Sequence, residues 1–210
     1  MNSYDAFTVQ LKECLAFLQS LDRAKTLSNR ERIFHANFVE AFKLLVVIRH
    51  LMTPVADARL LTSEPVEALT RLLYERSLLV RRLEKFSGEE PFLRFLKTSD
   101  ESMAEKWSGH ARKHGNVTAK QLPNYGNMAD DVDPSGESAR IYRQLSHLAH
   151  PRSSIPYAVA EATQCKLRGA TAHQYFEMRC DQLVPIVGLA MSQIHGVAKR
   201  ELAGLVKGRT

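Results

Sequence analysis

Between Ile141 and Pro151 the chain places a phenol, a guanidinium, a hydroxyl and two imidazoles in the run Tyr142-Arg143-Gln144-Leu145-Ser146-His147-Leu148-Ala149-His150. These are groups that move protons and hold phosphates. Residues seven apart on an α-helix differ by roughly 20° in direction. Arg143 and His150 are therefore expected on one face, with His147 between them, and Tyr142 and Ser146 on the adjacent stripe. Pro151 disfavours the helical region for the residue before it, which puts His150 at the helix C-terminus. The negative end of the helix dipole favours an imidazolium there, and a nearby Arg143 opposes it. That competition can leave an imidazole titrating near neutral pH, as general acid or base work requires. Arg143 can hold a phosphate with its fork of donors. The same side chains also have a purely structural use. Ser146 can bond back to the Tyr142 carbonyl, and Tyr142 can be a core residue with its hydroxyl satisfied.

A second polar pair, Arg71 and Glu75, interrupts the apolar run LTRLLYERSLLV. At four-residue spacing it is either a surface ion pair worth a few tenths of a kcal/mol or a pair directed at another helix. Sharing a stripe with Leu72, Leu78 and Leu79 favours the inward direction. Lys106, His110, Arg112, Lys113, His114 and Lys120 surround Trp107. This is a single-stranded nucleic-acid pattern or, more commonly, a solvated basic face. His110 and His114 have the spacing of two metal ligands on one helix face. No HExxH pattern accompanies them, and Asp130, Asp131 and Asp133 follow without a recognised loop signature. No metal and no cofactor are expected.

The elements that position these groups are helical. Phe7, Leu11, Cys14, Leu15 and Leu18 mark a first helix over 4–20. Ser28 or Asn29 caps a second, with Phe34, Phe38, Phe42, Leu45 and Ile48 on its inner stripe and Pro54 at its end. Ser63, Pro65 and Glu67 open a third, which stops near Gly88. Pro91 opens a fourth, carrying Phe92, Phe95, Leu96, Met103 and Trp107. Gly115, Pro123, Gly126, the three aspartates, Pro134 and Gly136 read as a long loop over about 115–136. Ser135 or Ser138 then caps the helix of the central motif, and a last helix covers 171–206 with a bend at Pro185 and Gly188. No alternation supports a sheet. The fold class is all-α: a single-domain helical bundle, 1–210, of about six helices. Residues 1–27 would be an N-terminal helical extension.

The chain has 210 residues, a net charge of +6 and 44% hydrophobic content, enough for one large domain with a core. The basic balance is compatible with a polyanionic partner. Cys14, Cys165 and Cys180 form no CxxC pair, so neither a zinc knuckle nor a disulfide framework is indicated. The beginning lacks a basic start followed by an apolar stretch, and the best apolar run, Ala41 to Met52, is broken by Lys43, Arg49 and His50. A cytoplasmic protein with reduced thiols and no membrane span is expected.

Two resemblances attach to these residues. The Arg71/Glu75 pair, the run Lys106-Trp107-Ser108-Gly109, and the ending Tyr142, Ser146, His150, Pro151 together resemble the all-helical, mostly bacterial domain-of-unknown-function-5677 family. That resemblance covers roughly residues 35–200 and implies the fold more than an activity. The Arg143/His150 pair, with six residues between, is similar to the motif of the higher eukaryotes and prokaryotes nucleotide-binding (HEPN) superfamily. Arg30 with His35, Arg140 with His147 and Arg168 with His173 meet the same loose spacing, and the helix-end context selects Arg143 and His150. The superfamily resemblance implies a metal-independent ribonuclease of toxin or phage-defence type. It would act as a homodimer on RNA, with a cognate antitoxin or defence partner.

Two functions compete. In the first, His150 is general base on a ribose 2′-hydroxyl and Arg143 stabilises the phosphorane charge. In the second, the chain is a non-catalytic binding module. Arg71, Glu75, Tyr142, Ser146 and His150 then form a buried network that fixes helix packing.

Overall fold

A computed structural model of the chain describes residues 3–22, 25–52, 64–88, 90, 92–94, 125–149 and 172–207. Among the described residues the helices with defined bounds, in chain order, are α1 (Ser3–Ser20), α2 (Asn29–Leu51), α3 (Glu64–Glu84), α4 (Tyr125–Val132), α5 (Glu137–Ala149) and α6 (Ala172–Glu201). A 3-10 turn, Ala203–Leu205, follows α6. The described residues contain no strand, only one isolated antiparallel bridge between Leu21 and Val206. The fold is all-α, as the periodicity indicates.

Helix α2 shows how local sequence and packing agree. The Ser28 side chain accepts from the Glu31 amide at 3.2 Å, and the Glu31 carboxylate accepts from the Ser28 amide at 2.8 Å. This reciprocal box satisfies donors that a helix start leaves orphaned. Phe34, Phe38, Ala41, Leu45 and Ile48 then recur at three- and four-residue steps and are buried. Phe42, expected on that stripe, is only half-buried, and Ala41 takes the inner position. The helix stops at Leu51, three residues before Pro54.

Helix α3 is the hub, touching α2, α4, α5 and α6. Its buried set includes Val66, Glu67, Thr70, Leu73, Tyr74, Ser77, Leu78, Val80 and Leu83, a band far wider than one stripe. A helix with neighbours on several sides has little surface left to solvate. Its buried hydroxyls are satisfied locally: Thr70 donates to the Val66 carbonyl at 2.7 Å and Ser77 to the Tyr74 carbonyl at 2.8 Å. Helix α6 packs on α3, α2 and α1, with Pro185 inside it on an exposed position. Helix α1 is part of the same core rather than an appendage, burying Phe7, Cys14 and Phe17. The chain after α6 folds back on the end of α1, where the Asp22 amide donates to the Leu205 carbonyl and the Lys207 amide to the Ser20 carbonyl.

Arg30 ties three regions together. Its guanidinium forms a two-bonded pair with Glu201, both at 2.7 Å, donates to the Phe86 carbonyl at 2.8 Å, and lies over the rings of Phe34 and Phe92. Such planar, bidentate use of arginine is available to no lysine.

Three expectations are corrected. The loop expected over about 115–136 contains α4, because Met128, Ala129 and Val132 bury against α3 and α5 and outweigh the turn composition of Gly126 and the aspartates; residues 115–124 lie outside those described. The third helix ends at Glu84, short of Gly88, which follows with a left-handed φ of 94°. The last helix ends at Glu201 and the 3-10 turn carries the chain on, burying Leu202 and Leu205. The segment of the fourth expected helix that is described, Phe92 to Arg94, is helical, and Trp107 with its basic neighbours lies outside the described residues. No helix among the described residues is long and apolar enough to cross a membrane.

Candidate functional site

Helix α5 is anchored at its start by a residue not expected to cap it. The Asp133 carboxylate accepts from the Ser138 amide at 2.9 Å and from the Ser135 amide and hydroxyl at 3.1 and 2.6 Å. Ser135 offers the Glu137 amide only a 3.4 Å contact, and Ser138 is buried inside the first turn. The hydrogen bonds from Ser135 and Ser138 hold the Asp133 carboxyl well below the usual carboxylate range. From α3, Arg81 donates to the Ser138 hydroxyl at 3.2 Å and to the Val132 carbonyl at 3.0 Å, and Tyr74 donates to the Ser138 carbonyl at 3.3 Å. The turn between α4 and α5 is thus pinned to α3 by Arg81 and by Tyr74, whose ring also fills the core.

One helical turn further on, the two polar constellations of the sequence meet. Arg71 Nε lies 2.8 Å from Glu75 Oε1, and the side chains are 24% and 13% exposed, so the pair is directed inward. The Arg71 guanidinium sits 5.8 Å from the centre of the Tyr142 ring. Burial alone would lower the arginine's proton affinity; the bond to Glu75, its charge and the Tyr142 hydroxyl together overcome this and raise it. Tyr125 of α4, which sequence reasoning passed over, brings its ring to 6.2 Å from that of Tyr142. Burial first, then the Glu75 charge, pushes the Tyr125 hydroxyl above its ordinary range. Arg71, Glu75, Tyr125 and Tyr142 therefore form one contact where α3, α4 and α5 meet.

The two stripes of α5 separate as the helix geometry requires. Tyr142 is half-buried, and Ser146 Oγ is buried without a hydrogen-bond partner among the described residues. The back-bond to the Tyr142 carbonyl, which is open to Ser146 in the purely structural use, is not made. Arg143 lies on the exposed side and donates to the Ala139 carbonyl at 3.2 Å. No carboxylate among the described residues pairs with it, whereas Arg140 beside it is held by Glu137 through two bonds of 2.8 and 2.6 Å. The His147 side chain and all of His150 lie outside the described residues.

Sequence reasoning also missed the buried pair between Glu67 and Arg179, 2.6 Å apart. Only the Arg71/Glu75 spacing was local enough to signal itself; nothing in the sequence marks partners so far separated. Cys14 and Cys180 are buried and free, and their thiols are pushed up to about 12, first by burial. Both are thereby kept protonated and unreactive. Among the described residues, no three His, Cys, Asp or Glu side chains are grouped to hold a metal ion.

The class that the described residues define is an all-α helical bundle. No protein-family model matches the chain, and no curated protein and no solved structure matches it either.

Proposed function

We propose that this bundle is a metal-independent endoribonuclease of toxin or defence type, in which Arg143 binds the scissile phosphate and His150 acts as general base. Its RNA-binding face is the exposed side of α5. The observation that carries the reading is the Arg143 guanidinium, exposed and without a carboxylate partner among the described residues. Arg71 is committed to Glu75 and Tyr142, and Arg140 to Glu137. Arg143, whose Nε donates to the Ala139 carbonyl, thus keeps its two terminal nitrogens for phosphate. His150 would take the ribose 2′-hydroxyl proton as the oxygen bonds to phosphorus and the 5′-oxygen departs, with Arg143 compensating the charge that develops. The net charge of +6 draws a polyanion toward the chain. The resemblance to the HEPN superfamily supplies the rest of the proposal: a homodimer with two motifs lining one cleft, and a cognate antitoxin or defence partner; the resemblance to the domain-of-unknown-function-5677 family bears on the fold.

One observation favours a second reading, a non-catalytic binding module. Arg71, Glu75, Tyr125 and Tyr142 are occupied with one another, which is how a packing network behaves.

The test is RNA cleavage by the purified protein in EDTA, compared with Arg143→Ala and His150→Ala after circular dichroism has established that all three are folded. Cleavage by the parent that is lost in both variants supports the nuclease. A parent that does not cleave, with His150→Ala melting several degrees lower, transfers the site to the binding module.

A further inference from the structure

Three helices meet at an aromatic cluster that the proposed reaction does not use. His195 of α6, 6% exposed, stacks on Phe38 of α2 with ring centres 5.4 Å apart and planes 20° apart. Phe17 of α1 lies 5.3 Å from the same imidazole and meets Phe38 edge-on at 5.4 Å. His195 Nε2 is buried with no hydrogen-bond partner among the described residues. A neutral imidazole can present that nitrogen as a bare acceptor, but an imidazolium carries N–H at both nitrogens. Protonation would place an unpartnered donor and a net charge among packed phenyl rings. The attraction of a cation to a phenyl face is smaller than that cost.

The groups acting on the ring are few. Burial comes first in holding its proton affinity below the ordinary imidazole range, and Lys199, one turn along α6, adds to it. Glu13 of α1 works in the opposite direction. Cys14, one turn before Phe17, is kept neutral by burial, and α2 presents the Phe38 ring. Outside this cluster α1 is held by buried Phe7, by the backbone bonds between its end and the chain after α6, by Gln10, which donates to the Gly188 carbonyl and the Ser192 hydroxyl, both at 3.0 Å, and by Thr8 Oγ1, which accepts from Arg49 at 3.4 Å.

We propose that His195 is the trigger of an acid-sensitive latch: its neutral ring seats α1 against α2 and α6, and its protonation loosens α1 while α3 to α5 stay packed. The sign follows from the lowered proton affinity of the seated ring. The latch is complete above the ordinary imidazole range near 6.5 and weakens as pH falls below it, because the unseated state binds the proton.

Amide hydrogen exchange of the full chain tests this. After correction for intrinsic exchange, the amides of Phe7 to Ser20 should speed up relative to those of Leu73 to Leu83 as pH falls from 7.5 to 5.5. The change should approach about tenfold per pH unit below 6.5. In His195→Phe, which keeps the ring stack without a titrating group, that ratio should be flat; His195→Gln gives the same reading if the larger ring does not fit. A flat ratio in the parent overturns the latch, as does a variant that keeps the parent's slope. The imidazole itself supplies an independent check. An NMR titration of His195 in the parent should fall below the ordinary value, and a midpoint at or above it also overturns the proposal.

Discussion

Glu67 and Arg179 join α3 to α6 through one carboxylate oxygen, Oε1, which accepts from Arg179 Nε at 3.1 Å and from Nη2 at 2.6 Å. Each side chain is 6% exposed, and Arg179 also reaches Gln182 Oε1 at 3.0 Å. A pair this deep gains little net stability, because desolvation offsets the attraction. Breaking it is another matter, since the remaining charge then lies buried without its counter-charge.

Glu67→Ala or Arg179→Ala alone should therefore cost about 3–5 kcal/mol, measured by urea denaturation. Replacing both with apolar residues of similar volume should recover most of that loss. A single replacement costing under about 1 kcal/mol would mean the pair is hydrated in solution and α3 does not pack on α6 as described.

Arg71 and Arg143 should separate in their effects. Arg71→Ala removes the Glu75 bond and the contact with Tyr142, and should lower stability by about 1–2 kcal/mol. Arg143→Ala, on the exposed side of α5, should stay within about 0.5 kcal/mol of the parent while abolishing the proposed RNA cleavage. Equal destabilisation by the two would remove the distinction between a packing arginine and a phosphate-binding one.

Ser146 should respond in the opposite direction to most core changes. Its buried Oγ has no partner among the described residues, so Ser146→Ala relieves an unmet hydrogen bond. Melting should be unchanged or raised by a degree or two, equivalent to about 0.5 kcal/mol. A clear drop in the melting temperature would show that the hydroxyl is bonded in solution.

Acid should act on the start of α5 through Asp133. Its carboxyl titrates below the unfolded value near 3.9, so its contribution is fully present above that pH and is lost as pH falls through the lower, folded value. Asp133→Asn should lower the denaturation midpoint at pH 7 and narrow its gap from the parent below pH 4. A difference that stays constant from pH 7 to pH 3 would assign the effect to packing rather than charge.

The helices were legible because their signals are local. The Phe34, Phe38, Leu45, Ile48 stripe, the Ser28 and Glu31 box, and the Arg71/Glu75 spacing all act within a few turns of one helix. Helix α4 was not legible, since Gly126 and three aspartates in twelve residues carry the composition of a loop. Its helicity depends on burying Met128, Ala129 and Val132 against α3 and α5. The Asp133 cap was hidden for a related reason: its carboxylate reaches forward over a turn whose path the neighbouring helices set.

Sequence by itself determined the all-α class, the placement of most helices, and which polar residues of α5 share a stripe, because helical geometry converts spacing into direction. Tertiary structure alone decided which of those stripes is used up. It set Tyr142 against Arg71 and Tyr125, left Arg143 in solvent, paired Glu67 with Arg179 and closed Phe17 and Phe38 around His195. Those partners come from different helices, and only the packing of the chain brings their side chains within the few ångströms over which hydrogen bonds, ion pairs and ring contacts act.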